Sequence, residues 1–298
     1  MPSRPKPKRA TTTPYLFLSP AIVLFIAFIL VPIGYTAYLS FRRVQVEGLG
    51  LGADARHEVF AGWRNFRDAL SDPEFSASLL RVLGYGAVVV PVMLGLALLF
   101  ALLLDTPSAR MRRFTRVSIF LPFAVPALIG GMLWGFLYLP SVSPFPLGDL
   151  DLLSGNVLLF SVANVAVWGG TGFNMMVLYT ALRAVPPEIY ESARIDGCSE
   201  LRLALRIKVP MLLPALVMTG FFSIIATIQV FAEPMILKPL TNSIPSTWTP
   251  LMKIYRDAFA IGDHYSAAAT SLVLAFATLL LSFTFLRLFG RRAFGGER

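Results

Sequence analysis

The chain has 298 residues, 56% of them hydrophobic and only 14% charged, with a mean hydropathy of +0.68. One soluble core cannot hide that much apolar surface, so the composition excludes an ordinary soluble domain and indicates a polytopic membrane protein. The formal charge of +9 does not point to nucleic acid, because the basic residues lie in short blocks at the ends of apolar runs and not on one groove-sized element. One cysteine, Cys198, and two distant histidines, His57 and His264, give no basis for an internal disulfide or a metal site.

A basic tail, 1–13, carries Arg4, Lys6, Lys8 and Arg9 and leads into an apolar run from Pro14 to Leu39. The run is longer than the roughly 7–15 residues of a signal-peptide core and no small-residue cleavage site closes it, so it reads as a retained membrane helix. A bilayer core needs about 20 apolar residues per helix. Six windows meet that requirement, 14–39, 79–104, 117–139, 157–182, 211–232 and 265–289, uncharged apart from Arg81 and Arg287 near their ends. The expected fold is all-α, with six spans forming one domain over 14–289 and a short tail at 290–298.

Seventeen Lys/Arg residues fall in the N-terminal tail, the second connection, the connection 183–210 and the C-terminal end; eight fall in the other three connections. By the positive-inside rule the first set, and with it both termini, is expected to be cytoplasmic. The outer connections 42–78 and 233–264 are longer, and Trp63 and Phe66 in the first of them read as an interfacial aromatic anchor.

The connection 183–210 is unusual in carrying Glu188, Glu191, Arg194, Asp196, Glu200, Arg202, Arg206 and Lys208 between two apolar runs. Pro186 and Pro187 end the fourth span, and Pro187 suits the first position of a new helix, where its missing N–H costs nothing. Asp196-Gly197 stops that helix, glycine being the least strained residue for a left-handed C-cap. A second short helix is predicted from Ser199, as N-cap, towards Val209, with Leu201, Leu205 and Lys208 on one face and Arg202 and Arg206 on another. Helices this short need a surface to pack on. Residue chemistry alone leaves two surfaces open, the lipid headgroup region and another protein.

The order of residues adds to this. ESARIDGCSELRLALRIKVP resembles the EAA motif of ABC importer permeases, E-A-A-x-x-x-G followed by nine residues and I-x-L-P. Glu191, Ala193, Gly197, Ile207 and Pro210 match at the motif's spacing, with Asp196 before the glycine; Ser192 and Val209 depart from it. YLFLSPAIVLF, FAGWRNFRDALSDPEF, FLPFAVPALIGGMLWGFLY and YRDAFAIGDHYSAAATSLVLAF are similar to stretches of the sugar family of these permeases, which includes the maltose and glycerol-phosphate type. The resemblance implies a type I importer of the bacterial inner membrane, with a second permease subunit, a cytoplasmic ATPase dimer and an extracellular solute-binding protein as partners. The retained first span and basic tail look more like the first permease of a heterodimer. The resemblance assigns coupling to the ATPase to Glu191, Ala193, Arg194, Asp196, Gly197, Ile207 and Pro210. It places ATP and Mg in the partner, leaving this chain without catalytic residues or cofactor, and the chain has no G-x-x-x-x-G-K-[ST] sequence of its own. Ordinary helix punctuation also accounts for Glu191 and Gly197, and solvated charge for Arg194 and Arg202.

Polar residues within spans tend to face a cavity or the bundle interior. Asn164, Trp168, Thr171 and Asn174 in the fourth span and Thr227, Gln229 and Glu233 at the fifth are therefore candidates for a solute path. Amides and an indole suit a sugar's hydroxyl edges and apolar faces. Helix-to-helix hydrogen bonding near Gly169, Gly170 and Gly172 is the alternative; Trp134 reads as packing and Cys198 as a small filler. Two competing functions are an ABC permease for a non-sugar solute and an ion-coupled secondary transporter. The second would need an acid embedded in a span, and Glu233 is expected only at the edge of one.

Overall fold

The computed structural model describes residues 13–46, 56–106, 111–144, 150–155 and 157–294. The basic tail up to residue 12, Arg110 and residues 295–298 lie outside the described residues. Five helical segments are long and apolar enough to cross a membrane: Tyr15–Ser40, Pro73–Asp105, Val157–Arg183, Leu213–Leu240 and His264–Gly290.

The third predicted span, 117–139, is instead two helices, Arg112–Ala124 and Ala127–Tyr138, bent by 95°. The cause is local. Pro126 forces the residue before it out of the helical region, and Val125 is extended at φ −76°, ψ 127°. The fifth span runs further than the predicted 211–232. Its first helix, Leu213–Ile228, stops at Gln229 and restarts as Ala232–Leu237. Pro234 lies in the first turn of the restarted helix, where its missing N–H breaks no hydrogen bond.

The second span begins where Asp72 accepts a hydrogen bond from the Glu74 N–H (2.8 Å) with Pro73 at the first helical position. It packs mainly on the fourth span. Ala97 and Ala101, fully buried, let the backbones approach, and Met175, Leu178 and Leu182 fill the seam. A second core surrounds Tyr85, Val162, Leu237 and Trp248. The bent span joins it through a polar chain in which Asn164 donates to the Tyr138 hydroxyl and Tyr138 donates to the Ser161 carbonyl, both at 2.9 Å. Trp134 packs edge-on to Trp168, with ring centroids 5.9 Å apart. The first span stands largely outside the core and meets the sixth span near its end.

A small antiparallel hairpin, β1 (Arg42–Val46) and β2 (Arg56–Phe60), with Arg42 opposite Phe60, interrupts the otherwise helical fold. Phe41, Trp63 and Phe66 cluster at its base, ring centroids 5.2–5.3 Å apart, and Asn65 donates to the Ser40 and Arg42 carbonyls. Arg81, near the start of the second span, donates to the Trp248 carbonyl at 2.8 Å. Beside it, Lys253 bridges Asp72 (2.8 Å) and Asp257 (2.6 Å), and Arg256 bridges Glu74 and Asp257 (2.8 Å each). Burial would raise the Asp72 carboxyl, but the Lys253 hydrogen bond and charge outweigh it and hold the group below its ordinary range. This network ties the start of the second span to the segment before the sixth.

Candidate functional site

At the far end of the second span lies the charged connection. Its first helix is Pro187–Ile195, with Pro187 at the start as predicted. The stop is a Schellman motif: Gly197 takes φ +79°, its N–H bonds the Arg194 carbonyl, and the Cys198 N–H bonds the Ala193 carbonyl, both at 3.0 Å. Asp196 is the C-cap. Cys198 has a definite place, packing with Val185 and Ile207 on a small core of Tyr190, Ala193 and Leu203.

The second helix differs from prediction. Ser199 makes no side-chain capping bond, and Glu200–Leu203 passes into a wider π-helical turn over Ala204–Lys208. With hydrogen bonds from i to i+5, the α-helical periodicity that grouped Leu201, Leu205 and Lys208 no longer holds. Leu201 and Leu205 are exposed, whereas Lys208 turns inward, only 3% exposed, and pairs with Asp105 of the second span at 2.6 Å. The Lys208 ammonium also lies 5.0 Å from the centre of the Tyr190 ring. Tyr190 donates its hydroxyl to the Leu182 carbonyl of the fourth span at 3.3 Å. The connection is thus fastened to two spans at once. Sequence reasoning missed Tyr190 and Asp105; the available signal was a lone acid ending one apolar run and a base just before the start of another, on the same predicted side.

The motif residues divide by exposure. Glu191, Asp196, Gly197 and Pro210 are exposed, as is Ile195 at 86%; Ala193 is buried, and Ile207 is half-buried against it. Arg194 pairs within the chain, with Glu200 at 2.7 Å, and that hydrogen bond holds the Glu200 carboxyl below its ordinary range despite partial burial.

An open cavity of about 600 Å³ lies between the second, bent third, fourth and fifth spans. Both interruptions of the spans form its walls: Phe123, Val125 and Ala127 at the bend, and Gln229, Phe231 and Glu233 at the break in the fifth span. Non-helical backbone at membrane depth is tolerated where it lines such a space. Of the predicted path residues, Trp168, Asn174, Thr227, Gln229 and Glu233 line it. Asn164 and Thr171 do not. Asn164 is engaged with Tyr138, and the Thr171 hydroxyl donates back to the Val167 carbonyl of its own helix at 2.6 Å. Glu233 lies inside the apolar segment Leu213–Leu240, not at the edge of a span, which removes that argument against a secondary transporter.

An apolar bundle with an open cavity at two broken helices, and a structured charged connection at one end, defines a membrane transport subunit. Residues 81–294 match the family described as the binding-protein-dependent transport system inner membrane component, and the chain belongs to that family. It is similar to the sn-glycerol-3-phosphate transport system permease protein UgpA of Agrobacterium fabrum, 30% identical over 280 residues that cover 90% of this chain and 92% of that one. The protein of the same description from Escherichia coli O157:H7 is 26% identical over 284 residues, covering 92% of each. In fold the chain is similar to one in the crystal structure of a bacterial ABC transporter involved in the import of the acidic polysaccharide alginate, with a TM-score of 0.76 at 19% identity over 94% of this chain and 95% of that one.

Proposed function

We propose that this chain is one permease subunit of an ABC importer for a sugar or sugar-like solute, and that it forms half of the path with a second permease. An extracellular binding protein delivers the solute, and a cytoplasmic ATPase dimer, holding ATP and Mg, receives the connection 183–210 in a groove. Both termini then face the cytoplasm, in keeping with the excess of Lys and Arg on that side.

The observation that carries this reading is the build of the connection. It is pinned inward by Lys208, Tyr190 and Ala193, while Glu191, Ile195, Leu201 and Leu205 are left facing outward. Exposed apolar side chains beside charges on a pinned element suit a docked protein partner. Closure of the ATPase dimer would push on this element, and its ties to the second and fourth spans would pass the movement to the cavity walls those spans help to form. In this arrangement Ala193 acts by seating the helix, and Glu191, Asp196 and Gly197 make the contact.

Co-purification of the chain with an ATPase subunit tests the partnership. Two substitutions test the coupling. Glu191→Ala touches an exposed side chain and should leave insertion unchanged while lowering solute-stimulated ATP hydrolysis and uptake together. Gly197→Pro fixes φ near −65° where the backbone needs +79° and removes an N–H that bonds Arg194, so uptake should fall by about tenfold or more, on the order of the 1–3 kcal/mol that such strain involves. Normal uptake by both variants would exclude the coupling role.

A further inference from the structure

Among the described residues every wall of the cavity is apolar, aromatic or neutral polar except at Glu233, and no Lys, Arg or His lines it. The surroundings of Glu233 set it apart from other charges near the spans. Asp105 and Lys208 neutralise one another, and Lys253 and Asp257 do the same. Among the described residues no ion pair and no side-chain hydrogen bond reaches the Glu233 carboxyl. An unpaired acid inside an apolar segment is costly, and such residues mark solute pathways.

We infer that Glu233 sets specificity, and that this half of the path takes a neutral polyhydroxylated solute, a saccharide or glycoside, in preference to an anion such as a phosphate ester or a uronate. The inference rests on the reading of the chain as a permease for a sugar-like solute and narrows it. A carboxyl group accepts hydrogen bonds from hydroxyls, which a saccharide supplies on its edges. Trp168, Phe123 and Phe173 line the same cavity and offer flat apolar surface to the C–H face of a sugar ring. Gln229 at the helix break adds an amide that both donates and accepts. A phosphate or carboxylate entering this space would lose its water and find no cation among the described residues of these walls. The volume of about 600 Å³ lies within the roughly 300–1,000 Å³ of small-molecule sites. Kinship with permeases named for sn-glycerol 3-phosphate therefore does not carry their anion to this chain.

The test uses the complete importer in proteoliposomes, with its partner permease, ATPase and binding protein. The labelled probes are maltose, trehalose, raffinose and sn-glycerol 3-phosphate. Neutral saccharide uptake is expected to exceed that of the phosphate ester. Glu233→Gln, which is nearly isosteric, should lower saccharide uptake by about 10- to 100-fold, the worth of a buried hydrogen bond, with the amount inserted in the membrane unchanged. Glu233→Asp should retain more uptake than Glu233→Gln. Preferred uptake of sn-glycerol 3-phosphate, or saccharide uptake indifferent to Glu233→Gln, would overturn the inference and leave the importer reading intact. Uptake of none of the four probes would overturn both.

Discussion

Gly172→Ala is expected to disrupt the bundle although it adds one methyl group. A Cβ at position 172 would press on the carbonyl oxygen of Ile119 and lie 2.8 Å from the Phe120 Cα, both backbone atoms of the bent span. Backbone cannot turn aside as a side chain can, so the fourth span and Arg112–Ala124 would have to part along their seam. Overpacking of this kind costs about 1–3 kcal/mol and more where backbone must move. Close helix approach at small residues is also a principal source of association in lipid, where no hydrophobic force acts between spans. The detergent-solubilised protein should melt several degrees lower and accumulate less in the membrane. Gly95→Ala is the control: nothing lies within 4 Å of its added Cβ, and alanine is the better helix former by about 0.8–1 kcal/mol. Equal melting temperatures for Gly172→Ala and the parent would show that the two helices do not approach this closely.

Lys208→Met is the second change expected to be severe. Asp105 and Lys208 are 5% and 3% exposed at the side chain, and removing one member strands the other. Breaking a buried pair in this way costs about 3–5 kcal/mol, whereas replacing both partners with apolar groups is often neutral. Lys208→Met should therefore strongly destabilise the chain, and Lys208→Met combined with Asp105→Leu should recover most of the loss. A thermal-melt double-mutant cycle reads this directly. A double variant no more stable than either single one would mean that the ammonium and carboxylate do not depend on each other.

Both sites illustrate how information is divided between sequence and structure. The helical class, five of the six spans and the helix at Pro187 were legible because hydropathy and capping are local. An apolar run of about 20 residues satisfies its own backbone hydrogen bonds in lipid, and Gly197 fixes a turn through its own φ. The motif from Glu191 to Pro210 could likewise be read from spacing along one chain. The bend at Val125-Pro126 was signalled by proline but masked by hydropathy, which averages over a kink. Continuation of the fifth span to Leu240 was hidden because Pro234 can begin a helix as well as end one.

By itself the sequence determined that the chain is a helical membrane protein and where its charged connection starts and turns. Only the tertiary structure decided that Lys208 points inward to Asp105, that Gly172 meets backbone, and that Trp168, Asn174, Gln229 and Glu233 share a cavity while Asn164 and Thr171 do not. The reason is rotational. Composition and capping fix where a helix begins and ends, but which side of it faces a neighbour depends on the packing of all the others, and a single π turn or proline break is enough to turn a face around.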